Sequence, residues 1–128
     1  GTKRWIIPKG WPKTGISPHD MAAREAKEEA GLTGNVSTEL IGTYKYRKRL
    51  HLFASVMCRV SVFPLLVNAQ RYVWREKGER RLDWMPAKKA AKRVEEPELA
   101  QLILSLGNWH TERGNVSMTD RGEAPYLR

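Results

Sequence analysis

The sequence is poor in cysteine, in acidic residues and in long apolar runs. Cys58 is the single cysteine, which excludes an internal disulfide and predicts a reducing, cytoplasmic location. There is no run of about 18 apolar residues and no signal-peptide pattern, so we expect neither a membrane-spanning helix nor a membrane partner. Acidic residues number 14 against 23 Lys and Arg, and the net charge of +9 predicts an anionic partner.

The length of 128 residues predicts one domain with a sizeable core. On charge alone, the partner could be a polyphosphate, RNA or an acidic membrane surface. Nothing in the composition distinguishes a monomer from a homodimer. The choice between these kinds of partner therefore rests on the sequence motifs.

A helix is predicted over residues 18–30. Ser17 can cap its N-terminus, and Pro18 suits the first helical position. Gly31 follows where a helix commonly ends with a left-handed residue. The segment between these signals consists almost entirely of good helix formers. Local sequence alone therefore determines where this helix begins and ends.

Three glutamates of this helix, Glu25, Glu28 and Glu29, are spaced so that they share one face. Grouping like charges in this way is unfavourable, and a hard divalent cation such as Mg²⁺, which prefers oxygen ligands, would relieve the repulsion. The plainer interpretation is a solvated acidic face with helical ion pairs such as Arg24–Glu28. The spacing alone leaves both interpretations open.

The surrounding residues resemble the Nudix box, whose pattern is G-x5-E-x7-R-E-U-x-E-E-x-G-U, with U aliphatic. Residues 10–32 match every fixed position except two: Ile16 replaces the first glutamate, and Ala26 is a small residue at the first U. In the family that first glutamate is usually structural, so its loss affects the packing of loop and helix more than catalysis. By this match the chain is identified as a member of the Nudix superfamily.

The resemblance implies an α/β fold, a Nudix-type α/β/α sandwich with a mixed sheet. The Nudix domain would span residues 1–106, with a C-terminal tail over 107–128. Family members have a central strand upstream of this point, so we expect the chain as given to lack one strand. Hydrophobic patterning predicts strands at residues 5–7, 35–46, 50–62 and 80–85, a polar loop at 68–81, and helices at 86–94 and 96–106, the last stopped by Gly107.

The resemblance also implies a metal site. Glu25, Glu28 and Glu29 would hold Mg²⁺, or Mn²⁺ as a second choice, together with the backbone carbonyl of Gly10. The family uses such ions to hydrolyse phosphoanhydride bonds.

The catalytic roles are also implied by the resemblance. Glu25 is the first candidate for deprotonating water, and Arg24 would orient the carboxylates. Nudix enzymes often supply a further carboxylate from a later loop, so Glu79 or Glu76 is the alternative base.

Basic residues are concentrated where a hairpin is predicted, around residues 45–51. A charged turn of this kind is usually only solvated, but a polyphosphate carries charge beyond what metal ions neutralise. The predicted substrate-binding residues therefore combine this cluster with two lysines of the loop that enters the box: Lys9, Lys13, Lys45, Arg47, Arg49 and His51.

The predicted activity is Mg²⁺-dependent hydrolysis of a phosphoanhydride bond in a nucleoside- or inositol-linked polyphosphate. The Pro-Lys-Gly entry at residues 8–10 and the basic hairpin resemble the branch that hydrolyses diadenosine polyphosphates or diphosphoinositol polyphosphates. The alternatives are an RNA 5′-pyrophosphohydrolase, a nucleoside triphosphate pyrophosphatase, and a catalytically silent Nudix-like sensor of a phosphorylated ligand.

Overall fold

The computed structural model describes residues 5–112 and 123–127. The predicted α/β fold is confirmed. The elements run in the order α1 (Pro18–Ala30), β1 (Leu32–Val36), β2 (Gly42–His51), β3 (Ala54–Val62), β4 (Leu65–Gln70), β5 (Leu82–Pro86), α2 (Ala87–Arg93), α3 (Pro97–Glu112) and β6 (Glu123–Leu127). The strands form three antiparallel pairs, β1–β4, β2–β3 and β5–β6. Within the described residues, none of the helices combines the length and apolarity that crossing a bilayer requires.

Helix α1 begins and ends as its sequence predicts. The Ser17 hydroxyl accepts a hydrogen bond from the Asp20 N–H (3.4 Å), and Pro18 occupies the first turn. Gly31 adopts φ +71°, and its N–H donates to the Lys27 carbonyl (2.9 Å). The helix boundaries are therefore determined by local capping interactions.

The single strand predicted over residues 35–46 is wrong, because the chain turns between β1 and β2. The Ser37 hydroxyl accepts from the Glu39 N–H (3.1 Å), and the Ser37 N–H donates to the Pro64 carbonyl (2.9 Å). These bonds satisfy the backbone outside a strand, as serine side chains commonly do at turns. β4 was missed: the sequence predicted no strand at residues 65–67 and a loop from residue 68, whereas Leu65–Gln70 forms a strand paired with β1.

The β2–β3 hairpin is confirmed, and its alternation decides which side chains face inward. Cys58 is buried and lies opposite Tyr46, and Val56 lies opposite Lys48 on the same face. Alternation in the predicted strand 50–62 puts one inward row at Leu50, Leu52, Ala54, Val56, Cys58, Val60 and Val62. The structure keeps this row over residues 54–62. The row fails at Leu50 and Leu52, which are exposed because the end of the hairpin projects beyond the core.

The C-terminal elements depart from prediction at their ends. β5 and α2 lie where expected, but α3 continues past Gly107 to Glu112, so the predicted stop is wrong. A glycine inside a helix costs only about 1 kcal/mol relative to alanine, so it does not have to end one. Residues 123–127, predicted as tail, form β6 against β5, and the rest of the predicted tail beyond Glu112 lies outside the described residues. The domain boundary at residue 106 stays a prediction.

The start of the chain contributes to the core without forming a regular strand. Trp5 is buried, whereas Ile6 makes a single β-bridge, so the strand predicted at residues 5–7 is reduced to that bridge.

Two hydrophobic clusters hold the fold. The first packs Trp5 and the hairpin against α2 and α3; its buried members are Trp5, Tyr44, Met85, Ala90, Leu99 and Ile103. The second packs the alanine side of α1 against β1; its buried members are Ala26, Ala30 and Leu32.

Candidate active site

The acidic helix α1 borders two openings in the surface. The first, which we name the carboxylate cavity, has a volume of about 600 Å³ and contains Glu25 and Glu29. Its walls come from the loop before α1 and from the hairpin, and include Lys9, Gly10, Trp11, Tyr46, Lys48, Arg59 and Arg80. Anchoring by Ala26 and Ala30 places the glutamates at the rim of the packed face of α1.

Glu29 is the most constrained of the three carboxylates. Its side chain is buried, with the residue only 7% exposed. Oε2 accepts the Lys9 backbone N–H (2.8 Å), and Oε1 lies 3.4 Å from Arg80 Nη1. Burial raises the pKa of Glu29 to about 7, although the Lys9 N–H and the Arg80 charge both favour the ionised form. Glu29 therefore changes its charge near neutral pH when no cation is bound.

Glu25 lies against the loop that enters α1. A Cβ added to Gly10 would fall 2.5 Å from Glu25 Oε1, so only glycine allows this close approach of backbone and carboxylate. Burial raises the pKa of Glu25, and the charges of Glu28 and Glu76 raise it further. Gly10 and Glu25 therefore lie side by side, and the role of the Gly10 carbonyl as a metal ligand stays a prediction.

Glu28 points to the second opening, which we name the arginine cleft. Glu28 Oε1 accepts from Arg24 Nε (3.2 Å) and lies 3.5 Å from Arg75 Nη1. The hydrogen bond from Arg24 lowers the pKa of Glu28, which stays ionised. The cleft has a volume of about 800 Å³, and its charged and aromatic lining residues are Arg24, Lys27, Glu28, Arg71, Trp74 and Arg75. The helical pair Arg24–Glu28, predicted as the plainer interpretation, is therefore present.

The oxygen ligands of Glu25 and Glu29 suit a hard divalent cation, because both carboxylates share one cavity and their pKa values are raised. Glu28 is turned towards Arg24 and Arg75 instead. Over residues 5–112 and 123–127, no three side chains of Asp, Glu, His or Cys converge closely enough to share one ion. The predicted three-carboxylate set thus requires Glu28 to exchange its arginine partners for the cation. Glu25 and Glu29 fit the predicted ion by their donor chemistry, and the role of Glu28 as a ligand stays a prediction.

The loop before β5 brings Glu76, rather than Glu79, to the carboxylates. The Glu76 N–H donates to the Glu28 carbonyl (3.0 Å), which holds the loop on α1. Glu76 Oε1 accepts from Arg80 Nη1 (2.7 Å), and the same Nη1 lies near Glu29. Glu79 is exposed and lines neither opening. The geometry therefore favours Glu76 of the two candidate bases, while the role of Glu79 stays a prediction.

The predicted substrate-binding residues fall into two groups. Lys9 lines the carboxylate cavity, and the charge of Lys13 partly offsets the burial that raises the pKa of Glu25. The four residues predicted from the hairpin do not line the cavity. Lys45, Arg47 and Arg49 alternate with Tyr46 and Lys48, so their side chains lie on the face away from Cys58, and His51 is exposed beside the turn. Of their cross-strand partners Arg59, Met57 and Ser55, the first two also border the cavity.

Lys48, the cation of β2 that does line the cavity, was not among the substrate-binding residues predicted from the sequence. It is half-buried, and its Nζ lies 4.7 Å from the centre of the Trp11 ring. The sequence feature that could have identified Lys48 is the period-two alternation, which puts it in the row of Tyr44 and Tyr46. Arg80 was also absent from the predicted site residues. The sequence feature that could have identified it is its position four residues after Glu76.

Comparison with known proteins agrees with this arrangement. The model of the NUDIX domain matches residues 1–106. Nudix hydrolase 16, mitochondrial, of Arabidopsis thaliana is 26% identical over 112 residues, covering 84% of this chain and 62% of the relative. Nudix hydrolase 21, chloroplastic, of the same plant is 33% identical over 88 residues, covering 69% of this chain and 42% of the relative. The chain spans less than two thirds of the length of these curated relatives.

No solved structure shows significant similarity to the chain. The family assignment rests on the sequence match over residues 1–106. Gly10, Glu25 and Glu29 of that segment line the carboxylate cavity. The chain belongs to the NUDIX domain family.

Proposed function

We propose that this protein hydrolyses a phosphoanhydride bond in a nucleoside- or inositol-linked polyphosphate, with Mg²⁺ or Mn²⁺ as cofactor. One observation carries the proposal: two carboxylates with raised pKa values share a cavity of about 600 Å³ with Lys48 and Arg80. Carboxylates suit the metal and cations suit the phosphates, and phosphoryl transfer needs both. The names of the matched relatives, Nudix hydrolases, support the same class.

The proposed roles of the acidic residues are metal binding and general-base catalysis. Glu25 and Glu29 would hold the cation, joined by Glu28 and the Gly10 carbonyl. When bound, the cation supplies charge that neutralises the phosphates and activates water. Glu25 is the proposed base, since burial and neighbouring carboxylates already favour its taking up a proton. Glu76 is the alternative, because it lies beside the same group through Arg80.

Positive side chains would orient the substrate and stabilise the leaving phosphate. Lys48 extends over Trp11 at the cavity wall, and Arg80 bridges Glu29 and Glu76. A cation close to the transferred group stabilises charge that develops in the transition state. We assign the long polyphosphates, diadenosine or diphosphoinositol, as first candidates because Lys48 and Arg80 add positive charge for phosphates beyond those that the metal neutralises.

An RNA 5′ end is the second candidate, and the arginine cleft favours it. Arg24, Lys27, Arg71 and Arg75 border the cleft beside Glu28, on the opposite side of α1 from the carboxylate cavity. A nucleic acid strand extending from the cavity would meet these cations. Such binding would weaken steeply with added salt.

The test is release of phosphate or nucleotide by the protein with Mg²⁺, over a substrate panel. The panel contains diadenosine tetra- and hexaphosphate, diphosphoinositol pentakisphosphate, a nucleoside triphosphate and triphosphorylated RNA. Preference for one long polyphosphate supports the proposal and names the substrate. No turnover, with binding that persists in Glu28→Gln, would instead identify a sensor of a phosphorylated ligand.

A further inference from the structure

The outer end of the β2–β3 hairpin, residues 47–57, carries an exposed apolar surface, which we name the hairpin tip. Two large apolar residues, Leu52 and Phe53, form its turn, where polar residues or glycine are usual. Phe53 is 90% exposed and Leu52 74%, and Leu50 and Met57 add 57% and 55%. The turn is well defined, because the Phe53 N–H donates to His51 Nδ1 (3.3 Å). Leu52 and Phe53 are adjacent in the turn, and large exposed apolar residues grouped at one point of a surface indicate an interaction site.

The hairpin tip is surrounded by positive charge. Residues 40–75 contain no Asp or Glu at all. Arg47, Arg49 and Arg59 lie on its outer face, and Lys45 lies directly opposite Arg59 across the strands. Like charges in that position are unfavourable unless a partner neutralises them. At the base of the hairpin, the Lys45 N–H donates to Glu98 Oε1 (3.4 Å), so the cationic surface begins beyond that point.

Arg47, Arg49, Leu52 and Phe53 do not line the carboxylate cavity, whereas Met57 and Arg59 of β3 border both surfaces. Lys48, on the inner face, lines the cavity, whereas Arg47 and Arg49 alternate with it and do not. The Arg47 guanidinium donates to the Ser55 hydroxyl (3.0 Å), which fixes it along the outer face. The turn and these two arginines therefore lie outside the proposed substrate cavity and are left to a different partner.

The chemistry of the hairpin tip distinguishes between the partners that could cover it. A second copy would bring two sets of Lys45, Arg47, Arg49 and Arg59 together, and their repulsion opposes self-association. Single-stranded RNA would suit the arginines, but its bases stack on aromatic rings, and three of the four apolar residues are Leu or Met. An anionic lipid surface satisfies both properties, because its headgroups attract the arginines and its acyl region accepts the apolar residues.

We propose that the hairpin tip binds the surface of an anionic membrane. Leu52 and Phe53 enter the boundary between headgroups and acyl chains, and Arg47 and Arg49 contact the headgroups. The sequence predicted no membrane partner because no segment could span a bilayer. Binding on the surface needs no such segment, only an amphipathic element with the correct charge.

The experiment is co-sedimentation of the full chain with vesicles of phosphatidylcholine alone, or of phosphatidylcholine with phosphatidylserine. We expect binding to the vesicles that contain phosphatidylserine and little binding to the neutral ones. Arg47→Gln with Arg49→Gln should weaken binding about thirtyfold, the loss that two basic side chains at such a surface predict. Leu52→Ser with Phe53→Ser should weaken it at least about tenfold by removing the apolar contact.

The matched control is Lys88→Gln with Lys89→Gln, which removes the same charge from exposed positions of α2. This variant should bind vesicles within about twofold of the unchanged protein. Equal losses in the control and the arginine variant would overturn the proposal, because net charge alone would then explain binding. Equal binding to both kinds of vesicle, or to neither, would overturn it as well.

A second measurement locates the contact. Phe53→Trp keeps an aromatic residue in the turn, so it should retain binding and gain fluorescence quenching by brominated lipid relative to the unchanged protein. No added quenching would place the contact elsewhere and contradict the proposal. Loss of dimerisation in the Leu52→Ser with Phe53→Ser variant would identify a second copy as the partner. Loss of RNA binding in the arginine variant without an effect on vesicles would identify RNA.

Discussion

The backbone of Gly10 lies directly against the carboxylate of Glu25. A side chain at Gly10 would begin with a Cβ 2.5 Å from Glu25 Oε1, closer than such atoms approach. The loop and helix α1 thus meet at one point of the carboxylate cavity, and this point requires glycine. The contact joins the first residue of the box to its first α1 glutamate.

Gly10→Ala should therefore damage activity without unfolding the protein. The methyl group would displace the Glu25 carboxylate, and a shift of about 1 Å in a catalytic group can cost about a hundredfold in rate. Thr14→Ala, in the same exposed loop, serves as the control and should keep its rate. kcat/KM for the preferred substrate and the thermal unfolding temperature are the measurements. A fully active Gly10→Ala would remove this contact from the proposed site.

The three glutamates of α1 should each be needed for turnover. We expect Glu25→Gln, Glu28→Gln and Glu29→Gln to lower kcat/KM at least about tenfold, as loss of an interaction made in the transition state does. Glu79→Gln is the comparison, because Glu79 is exposed and lies outside both openings. Should Glu79→Gln be as damaging as the α1 variants, the catalytic role predicted for Glu79 would gain support and the preference for Glu76 would fail.

Metal-free protein should lose stability as the pH rises from about 4.5 towards 7. The pKa of Glu29 is about 7 in the folded chain against an ordinary 4.5, so the folded state binds more protons over that range. The stabilisation is complete below the lower value and is lost as the pH passes the higher one. The free energy of unfolding, from urea titrations with a chelator at pH 5 and pH 8, should fall by roughly 1–3 kcal/mol more in the unchanged protein than in Glu29→Gln.

Two further results check the same assignment. Mg²⁺ added at pH 8 should restore part of the lost stability, because a ligand that binds only the folded chain stabilises it. Glu79→Gln should retain the pH dependence of the unchanged protein. An equal pH dependence in Glu29→Gln would show that another group is responsible.

Lys48 should matter more for soluble substrates than the arginines of the same strand. Lys48→Met should raise KM for long polyphosphates about tenfold, as expected when a hydrogen bond to a charged group is lost. Arg47→Ala with Arg49→Ala tests the role predicted from the sequence, in which KM rises more for long than for short polyphosphates. Because the two arginines lie on the outer face of the hairpin, we expect this double variant to keep KM within about twofold of the unchanged protein. A selective rise of KM for long substrates would return them to the substrate site.

The limits of prediction are clearest along the hairpin. Alternation of apolar residues correctly indicates which side of β3 faces inward, because burial repeats every second residue. The same rule applied to β2 separates Lys48 from Arg47 and Arg49, but a dense basic cluster conceals the division unless the register is known. Leu52, which is exposed in the turn, was predicted as part of a buried row, because periodicity cannot show where the core ends.

The sequence by itself determined helix α1, its caps and the family to which it belongs. Caps, helix formers and the spacing of Glu25, Glu28 and Glu29 act within a few residues, so they are readable without a fold. Location in the cytoplasm and the oligomeric state stay predictions.

Only the tertiary structure decided which groups meet around that helix. Arg75 reaches Glu28 from 47 residues away, Arg80 joins Glu29 to Glu76, and the Lys9 N–H reaches Glu29 across 20 residues. Such contacts depend on how loops dock on α1, and no local pattern encodes that docking. The physical reason is that burial and long-range charge set the pKa and direction of each carboxylate, and both exist only after the chain has packed.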